Sequence, residues 1–519
     1  MNFKKISVWL LGFLMLSIGL YFFAEWQMKK AIAEFLERKV PSHVQYSYDQ
    51  LDISLIKGNL DFENPVVNNL GRQTSSCEIS ANMEKIAIKG FSYWRLFLKG
   101  EIHATEILLS KPNLTFKTCP ADTTTASKRN TPIHLLKPIS VNTITLKDGQ
   151  MEIWDSNGEK QLLNVGTLDF EIKEVATDTE KIKDYIPMEF GEYQFSFNQI
   201  SGPSGEYEEF EVGSYQMDNE SIEIMELEFK TKYSRRELSE KISYERDHVS
   251  LKVPEIRIEN HDLTFIDEVL ELQMDTVVAY EPFLNVYRDK SLMENPKIRP
   301  LYSQLIRQLP IKLQIKGIEL ANGFLSYEED APNNVRPGVL TFENLGAHIS
   351  NFSNTENEGE TVDIRINANF MGNGELDLDW KFDVFDPKET FIISGGLSNM
   401  ETSTLNDFLV PNARLRAQGT IDQMFFTLSG GDFMAQGDIK MNYEDFKLEL
   451  LNKERSHVKK IMSFIGNLFI NDGSKVDDDG YRHGTMEVER NRNKSFFNYL
   501  WVGLEDGLID VVTGSGKRK

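Results

Sequence analysis

The chain has 519 residues, 26% of them charged and 40% hydrophobic, which is the balance of a folded protein and excludes a disordered one. That length suits two to four domains or one extended β structure. A formal net charge of −23 argues against nucleic acid as a partner, because phosphate binding needs a basic surface, and no basic run points to anionic headgroup binding by the soluble part.

Met1–Lys5 is short and basic, and the uncharged stretch Ile6–Phe23 follows it. As a helix this stretch spans ~27 Å, close to the hydrocarbon thickness of a bilayer. A cleavable signal peptide is the competing reading. Such a peptide has a shorter apolar core and a small-x-small cleavage site, whereas Tyr21, Phe22, Phe23 and Trp26 crowd the exit here. The expectation is an uncleaved anchor over residues 1–24, with Lys4 and Lys5 holding the N-terminus in the cytoplasm. Residues 25–40 continue as a helical stalk that ends at Pro41.

Beyond the stalk one ten-residue unit recurs, at Ile53–Phe62, Ile107–Phe116, Ile144–Ile153, Ile256–Phe265 and Ile318–Tyr327. Its first, third, eighth and tenth positions are apolar. Between them lies a pair such as Asp148-Gly149 or Asn322-Gly323, which supplies the positive φ of a two-residue hairpin turn. The pattern predicts hairpins with all four apolar side chains on one face. Lys111-Pro112 is the exception, since proline cannot take positive φ, and that copy reads equally as a bend between two strands.

Phe91–Leu98 reads as a buried strand or a short helix. Cys77 and Cys119 match no metal spacing; they are either free thiols or a bridge. A bridge closes a loop of ~43 residues, worth about 4 kcal/mol in an oxidising compartment. Thr118–Pro132, polar with a proline near each end, is the best linker or long loop in the first half. Alternation returns at Glu192–Phe197, Ser221–Phe229 and Val249–Phe265, and Leu270–Leu309, with three prolines, breaks it. Within that stretch Leu301–Leu309 looks like a short helix.

The cleanest alternation lies further on. Val362–Phe370, a glycine turn and Leu376–Val384 predict a long hairpin. Ile364, Ile366, Leu376, Leu378, Trp380, Phe382 and Val384 share its apolar face, and Asp377, Asp379, Lys381 and Asp383 its wet one. Asn399–Leu409 reads as a helix, Phe425–Leu428 and Gly437–Leu450 as strands, and Asn452–Ile470 as an amphipathic helix. Asn471–Gly484 is an acidic loop, and Phe496–Val512 an apolar capping helix.

No phosphate-binding glycine loop, dinucleotide fingerprint, nucleophile elbow or zinc-protease motif is present, and the histidines have no metal spacing. The residues therefore point to no catalytic site, metal or cofactor.

Several segments resemble the AsmA-like family of bacterial envelope proteins. Tyr46–Phe62 with Asn64-Pro65-Val66-Val67 looks like the family's opening strand pair, and Gly100–Phe116 like its I-x-L-x-x-P-x-L element. Ile318–Tyr327 looks like the later I-x-L-x-x-G-x-x-x-Y element, and Gly395–Leu450, with Asn442–Phe446, like the C-terminal core. The resemblance implies an inner-membrane anchor, a periplasmic body forming a long curled antiparallel β-groove, and a role in phospholipid transport and outer-membrane biogenesis.

The expected plan is therefore mainly β. A β-repeat region covers 41–309 and a C-terminal β region with capping helices covers 310–519. Its apolar face admits two readings. Either the sheet is an open groove for phospholipid acyl chains, lined by Ile364, Ile366, Leu376, Leu378, Trp380, Phe382 and Val384, or it is a closed core in a scaffold that organises envelope assembly.

Overall fold

The computed structural model describes residues 17–34, 44–69, 78–118, 137–266, 269–332, 334–355, 360–451 and 476–513. The part of the predicted anchor before residue 17, Cys77, Cys119, most of the linker and the helical candidate Asn452–Ile470 lie outside them. The chain divides into two compact units, Met1–Pro203 with Glu211–Asn219, and Ser204–Phe210 with Glu220–Lys519. Both are mainly β.

The first unit opens with helix α1 (17–34). Strands β1 (Val44–Ser47) to β8 follow as four bent pairs: β1 with β2 (Gln50–Ser54), β3 (Asn59–Glu63) with β4 (Val66–Asn69), β5 (Glu78–Asn82) with β6 (Lys85–Lys89), and β7 (Ile102–Ser110) with β8 (Asn113–Lys117). The members of each pair follow one another in line and are separated by a kink. Long strands β9 (Ile139–Trp154), β10 (Gln161–Thr177) and β11 (Tyr193–Ser204) continue the sheet, and β12 (Glu208–Asp218) is shared between the units.

The kinks line up. Backbone bonds pass straight through them: Asp49 N to Glu63 O (3.0 Å), Asn64 N to Glu84 O (2.9 Å), Glu84 N to Ser110 O (3.0 Å), Lys111 N to Lys147 O (2.8 Å) and Gln150 N to Pro112 O (2.7 Å). Each strand therefore bends where its neighbour bends, and the backbone pairing carries on through the bend.

This geometry corrects the hairpin reading. Only Ile53–Phe62 is a hairpin, with Ile53 facing Leu60 across a four-residue turn. The copies at Ile144, Ile256 and Ile318 lie within single strands, and the Ile107 copy runs through β7 and β8 in line, as the bend alternative held. The physical reason is in the turn pair. A type I′ turn needs positive φ at both central residues. Here only the first has it: Lys111 at 46°, Asp148 at 55°, Asn260 at 53° and Asn322 at 57°. One left-handed residue bends a strand without reversing it, and it restores the parity that the odd spacing between positions three and eight would lose.

The sheet is mixed rather than purely antiparallel. The bent strand β7–β8 runs parallel to β9, so that Ile107 faces Ile144 and Leu114 faces Met151. The second unit repeats this step. There β13 (Ser221–Thr231) and helix α2 (Arg235–Lys241) lead to β14 (Asp247–Ile266), and β15 (Val269–Tyr280) and β16 (Phe283–Asp289) form one bent strand along it. That bent strand is parallel to β17 (Lys312–Asp330), beyond helix α3 (Tyr302–Arg307). Strand structure thus continues to Asp289 in the stretch expected to break the β pattern. Pro112 and Pro282 occupy equivalent kinks, each against a glycine of the parallel neighbour, Gly149 and Gly323.

An antiparallel meander completes the unit: β18 (Gly338–Ser353), β19 (Val362–Phe370), β20 (Gly374–Phe382), β21 (Phe391–Glu401), helix α4 (Asn406–Ala413), β22 (Leu415–Gly430), β23 (Met434–Leu450) and β24 (Arg482–Glu489). The expected helix at Asn399–Leu409 starts later, because Asn399–Glu401 still pairs in β21. The long hairpin β19–β20 has the predicted register, with Ile364 opposite Trp380 and Ile366 opposite Leu378. Helix α5 (Phe496–Thr513) lies over the end of this meander as a cap. Phe91–Leu98 resolves as a short helical turn at Arg95–Lys99.

Candidate functional site: the apolar face

Register turns the repeat into a surface. In the first unit one cross-strand row reads Ile53, Leu60, Ile88, Ile107, Ile144, Ile172, Tyr193. The adjacent row reads Leu51, Phe62, Ile86, Leu109, Leu146, Phe170, Phe195. Directly paired residues share a face, so both rows line the same side of seven strands. Past the kinks a third row continues on that side, with Leu114, Met151, Val165 and Ile200. Rings run together at its far end: Phe170 and Phe195 lie 5.7 Å apart, and Phe195 stacks on Phe197 at 6.3 Å.

The opposite face is charged. Lys85 meets Asp61 (3.4 Å) and Glu63 (3.2 Å), Lys89 meets Glu106 (3.0 Å), and Lys173 meets Glu192 (2.9 Å). The hydrogen bond to Glu63 holds the Lys85 ammonium above the ordinary lysine range, and the bond from Lys173 holds Glu192 below the ordinary carboxylate range. At the strand ends His103 Nδ1 lies 2.9 Å from the Ser140 hydroxyl, which donates to Glu101 (2.5 Å). Burial, then Arg95, pushes the His103 imidazole below the ordinary histidine range.

Most of the two rows is only half-buried. Ile107, Ile144, Ile172, Phe170 and Phe195 retain exposure although every neighbour in the sheet is present. The apolar cluster on this face, Leu146, Val165 and Leu168 with Leu109, Leu114, Met151 and Phe170 against them, is built from strand residues.

The second unit carries the same surface, with Ile222, Ile258, Val277, Ile318, Ile349, Ile364, Trp380, Ile393 and Leu428 in one row. Here the face changes along its length. Val277, Ile318 and Ile349 are half-buried, whereas Ile393 is 2%, Leu428 0% and Ile439 1% exposed. The difference is α5. Phe496 stacks on Trp380 at 4.4 Å and 5°, and meets Phe391 edge-on at 5.1 Å. Gly507 lets the helix close: a Cβ there would lie 2.5 Å from Met486 Cγ and 2.7 Å from Ile439 Cγ2. Asp510 accepts from Thr485 N (2.8 Å) and Asp506 from Glu487 N (3.1 Å), so the helix also covers the free edge of β24.

Of the seven residues expected to line a groove, the six in β19 and β20 share one face, and Val384 lies past the end of β20 in the same core. Trp380, Phe382 and Val384 are buried in the core under α3 and α5. Ile364, Leu376 and Leu378 are half-buried against its margin, and Ile366 is half-buried beyond it. The hairpin's wet face is as read, with Arg365–Asp379 (3.7 Å) and Lys381–Asp363 (3.2 Å) across it. Sequence reasoning did not single out the rows of the first unit. Their signal was present in short alternations, Lys85-Ile86-Ala87-Ile88 and Tyr193-Gln194-Phe195-Ser196-Phe197, which only pairing joins into a surface.

Among the described residues no cluster of three His, Cys, Asp or Glu side chains is placed to hold a metal, and no helix is long and apolar enough to cross a membrane. No protein-family model matches the chain, and no curated protein matches it.

Proposed function

We propose that this protein is an AsmA-like, inner-membrane-anchored periplasmic carrier that shields phospholipid acyl chains from water and supports phospholipid transport and outer-membrane biogenesis. The carrying observation is the pair of apolar rows in the first unit, which stay half-buried with strands beside them and pack on other strand residues. A one-sided sheet needs a cover, and acyl chains are one. Shielding contributes ~0.8 kcal/mol per methylene moved out of water. No covalent step is required, so the proposal assigns no catalyst and no cofactor. Ile6–Phe23 supplies the anchor in this reading.

A second reading has its own observation. Under α5 the face is dry and closed, which suits an anchored scaffold that organises envelope assembly without binding lipid. The two readings separate by photocrosslinking in cells. Benzoyl-phenylalanine is placed at Ile144, Phe170 and Phe195, and at Glu171 and Lys173 on the charged face. Phospholipid adducts on the first set and not the second support the carrier. Adducts no more frequent on the rows than on the charged face reject it in favour of the scaffold.

A further inference from the structure

Three large apolar side chains of the first unit stand almost fully in solvent: Ile56 at 86%, Trp94 at 76% and Leu98 at 76% exposure. They come from different parts of the sequence, and the fold gathers them. Ile56 tips the β2–β3 turn. That turn is tied to the segment carrying Trp94 and Leu98 by the bond from Phe91 N to Gly58 O (2.8 Å). Trp94 and Leu98 are four residues apart on one helical turn and so share a side. Lys57 and Lys99, both exposed, sit directly beside them in a chain of strongly acidic balance. No strand pattern explains an exposed tryptophan and isoleucine at a turn, and leaving them in water is unfavourable.

The chain's own path says what meets this patch. Tyr21 of α1 acts on the Tyr93 phenol, which burial first and Tyr21 second push up. Further along α1, Lys29 reaches Asp52 of β2 (3.7 Å). The start of α1 therefore lies at the end of the unit that carries the patch, and its later turns pass β2. Upstream of residue 17 the sequence is the apolar stretch beginning at Ile6. Tyr21, Phe22, Phe23 and Trp26, followed by Lys29 and Lys30, have the order of residues at a bilayer interface. A segment packed beside Tyr21 is at that depth too.

We propose that Ile56, Trp94 and Leu98, flanked by Lys57 and Lys99, form a second membrane contact that inserts into the headgroup layer of the bilayer holding the anchor. The proposal rests on the anchored reading above. Ile53 and Leu60, which begin the first apolar row, are the apolar pair nearest this turn, one step in from Ser54 and Asn59, so the contact sets the start of the apolar face against lipid.

The test uses the full chain with Cys77→Ser and Cys119→Ser, reconstituted in vesicles of phosphatidylethanolamine and phosphatidylglycerol. A single NBD probe is attached in turn at Ile56→Cys, Trp94→Cys, Leu98→Cys, at Leu10→Cys within the apolar stretch, and at Glu159→Cys in a distant exposed turn. Headgroup-proximal doxyl lipid is the quencher. At positions 56, 94 and 98 the expected result is at least about a twofold loss of fluorescence, with none at 159, as for side chains at interface depth. Quenching at 10 with solvent-like probes at 56, 94 and 98 overturns the second contact and leaves the anchor standing. Quenching at 56, 94 and 98 without quenching at 10 supports the contact and rejects the anchor. Solvent-like probes at every position reject both.

Discussion

Trp380 shows what a single side chain does in the closed part of the sheet. It lies beneath Phe496, stacked on it, and its indole N–H has no acceptor. The ring's value there is its area and its stack, and the nitrogen is a cost. Trp380→Phe should therefore be close to neutral in chemical denaturation, while Trp380→Ala should cost about 3–5 kcal/mol by the cavity it leaves. Equal losses in the two variants would mean that the N–H matters after all. Gly507 makes the complementary case, because a valine there has no room between Met486 and Ile439. Gly507→Val should lift α5, seen as new protease cleavage within Phe496–Thr513 while the first unit stays resistant. The left-handed residues at the kinks explain why a kink looks like a hairpin turn in the sequence. Asp148 and Asn322 are good left-handed residues, and a kink and a turn both call for them. What separates the two is the φ of Gly149 and Gly323, which the letters do not carry. Where the left-handed residue is Lys111, Gln199 or Glu281, composition gives no signal at all.

At the scale of elements, the short helices act as fasteners. Helix α2 begins with a capping box between Ser234 and Glu237, and its Arg235 grips Glu328 of β17 (2.6 Å). The hydrogen bond from Arg235 is the main influence that holds the Glu328 carboxyl below the ordinary glutamate value. A lowered carboxylate pKa gives stability that is fully present above the unfolded value and is lost as pH falls through the folded one. Amide exchange in α2 should accordingly rise below about pH 4, near the reference glutamate pKa, and Glu328→Gln should flatten that rise. Helix α5 fastens differently, by offering Asp506 and Asp510 to the outward N–H groups of β24. Asp506→Ala with Asp510→Ala should cost only about 1 kcal/mol, yet speed exchange at Thr485 and Glu487. The variant should also self-associate through the bared edge, measured by light scattering. The strands themselves were largely legible, since β11, β13, β14, β19, β20, β22 and β23 follow plain alternation. The parallel steps were not, because alternation looks the same whichever way the neighbour runs.

For the whole molecule, the informative contrast is between covered and uncovered stretches of one kind of surface. Ile144 and Phe195 are half-buried with strands on both sides, and Leu428 is fully buried beneath a helix. Ile144→Asp and Phe195→Asp should leave the circular dichroism spectrum intact and abolish lipid adducts at Phe170. Leu428→Asp should unfold the second unit, because an unpaired buried charge is not tolerated. Loss of fold in all three variants would mean that the first unit's face is also structural core. The aligned kinks carry a separate consequence. Each bent strand hands its neighbour the same bend at the same height and the same apolar side, so the pattern needs no special strand to begin or to continue it. A gene that gains or loses one such strand changes a unit's reach by ~4.8 Å and leaves its chemistry untouched. Length is then a quantity that selection can adjust in fixed increments, independently of what the surface holds.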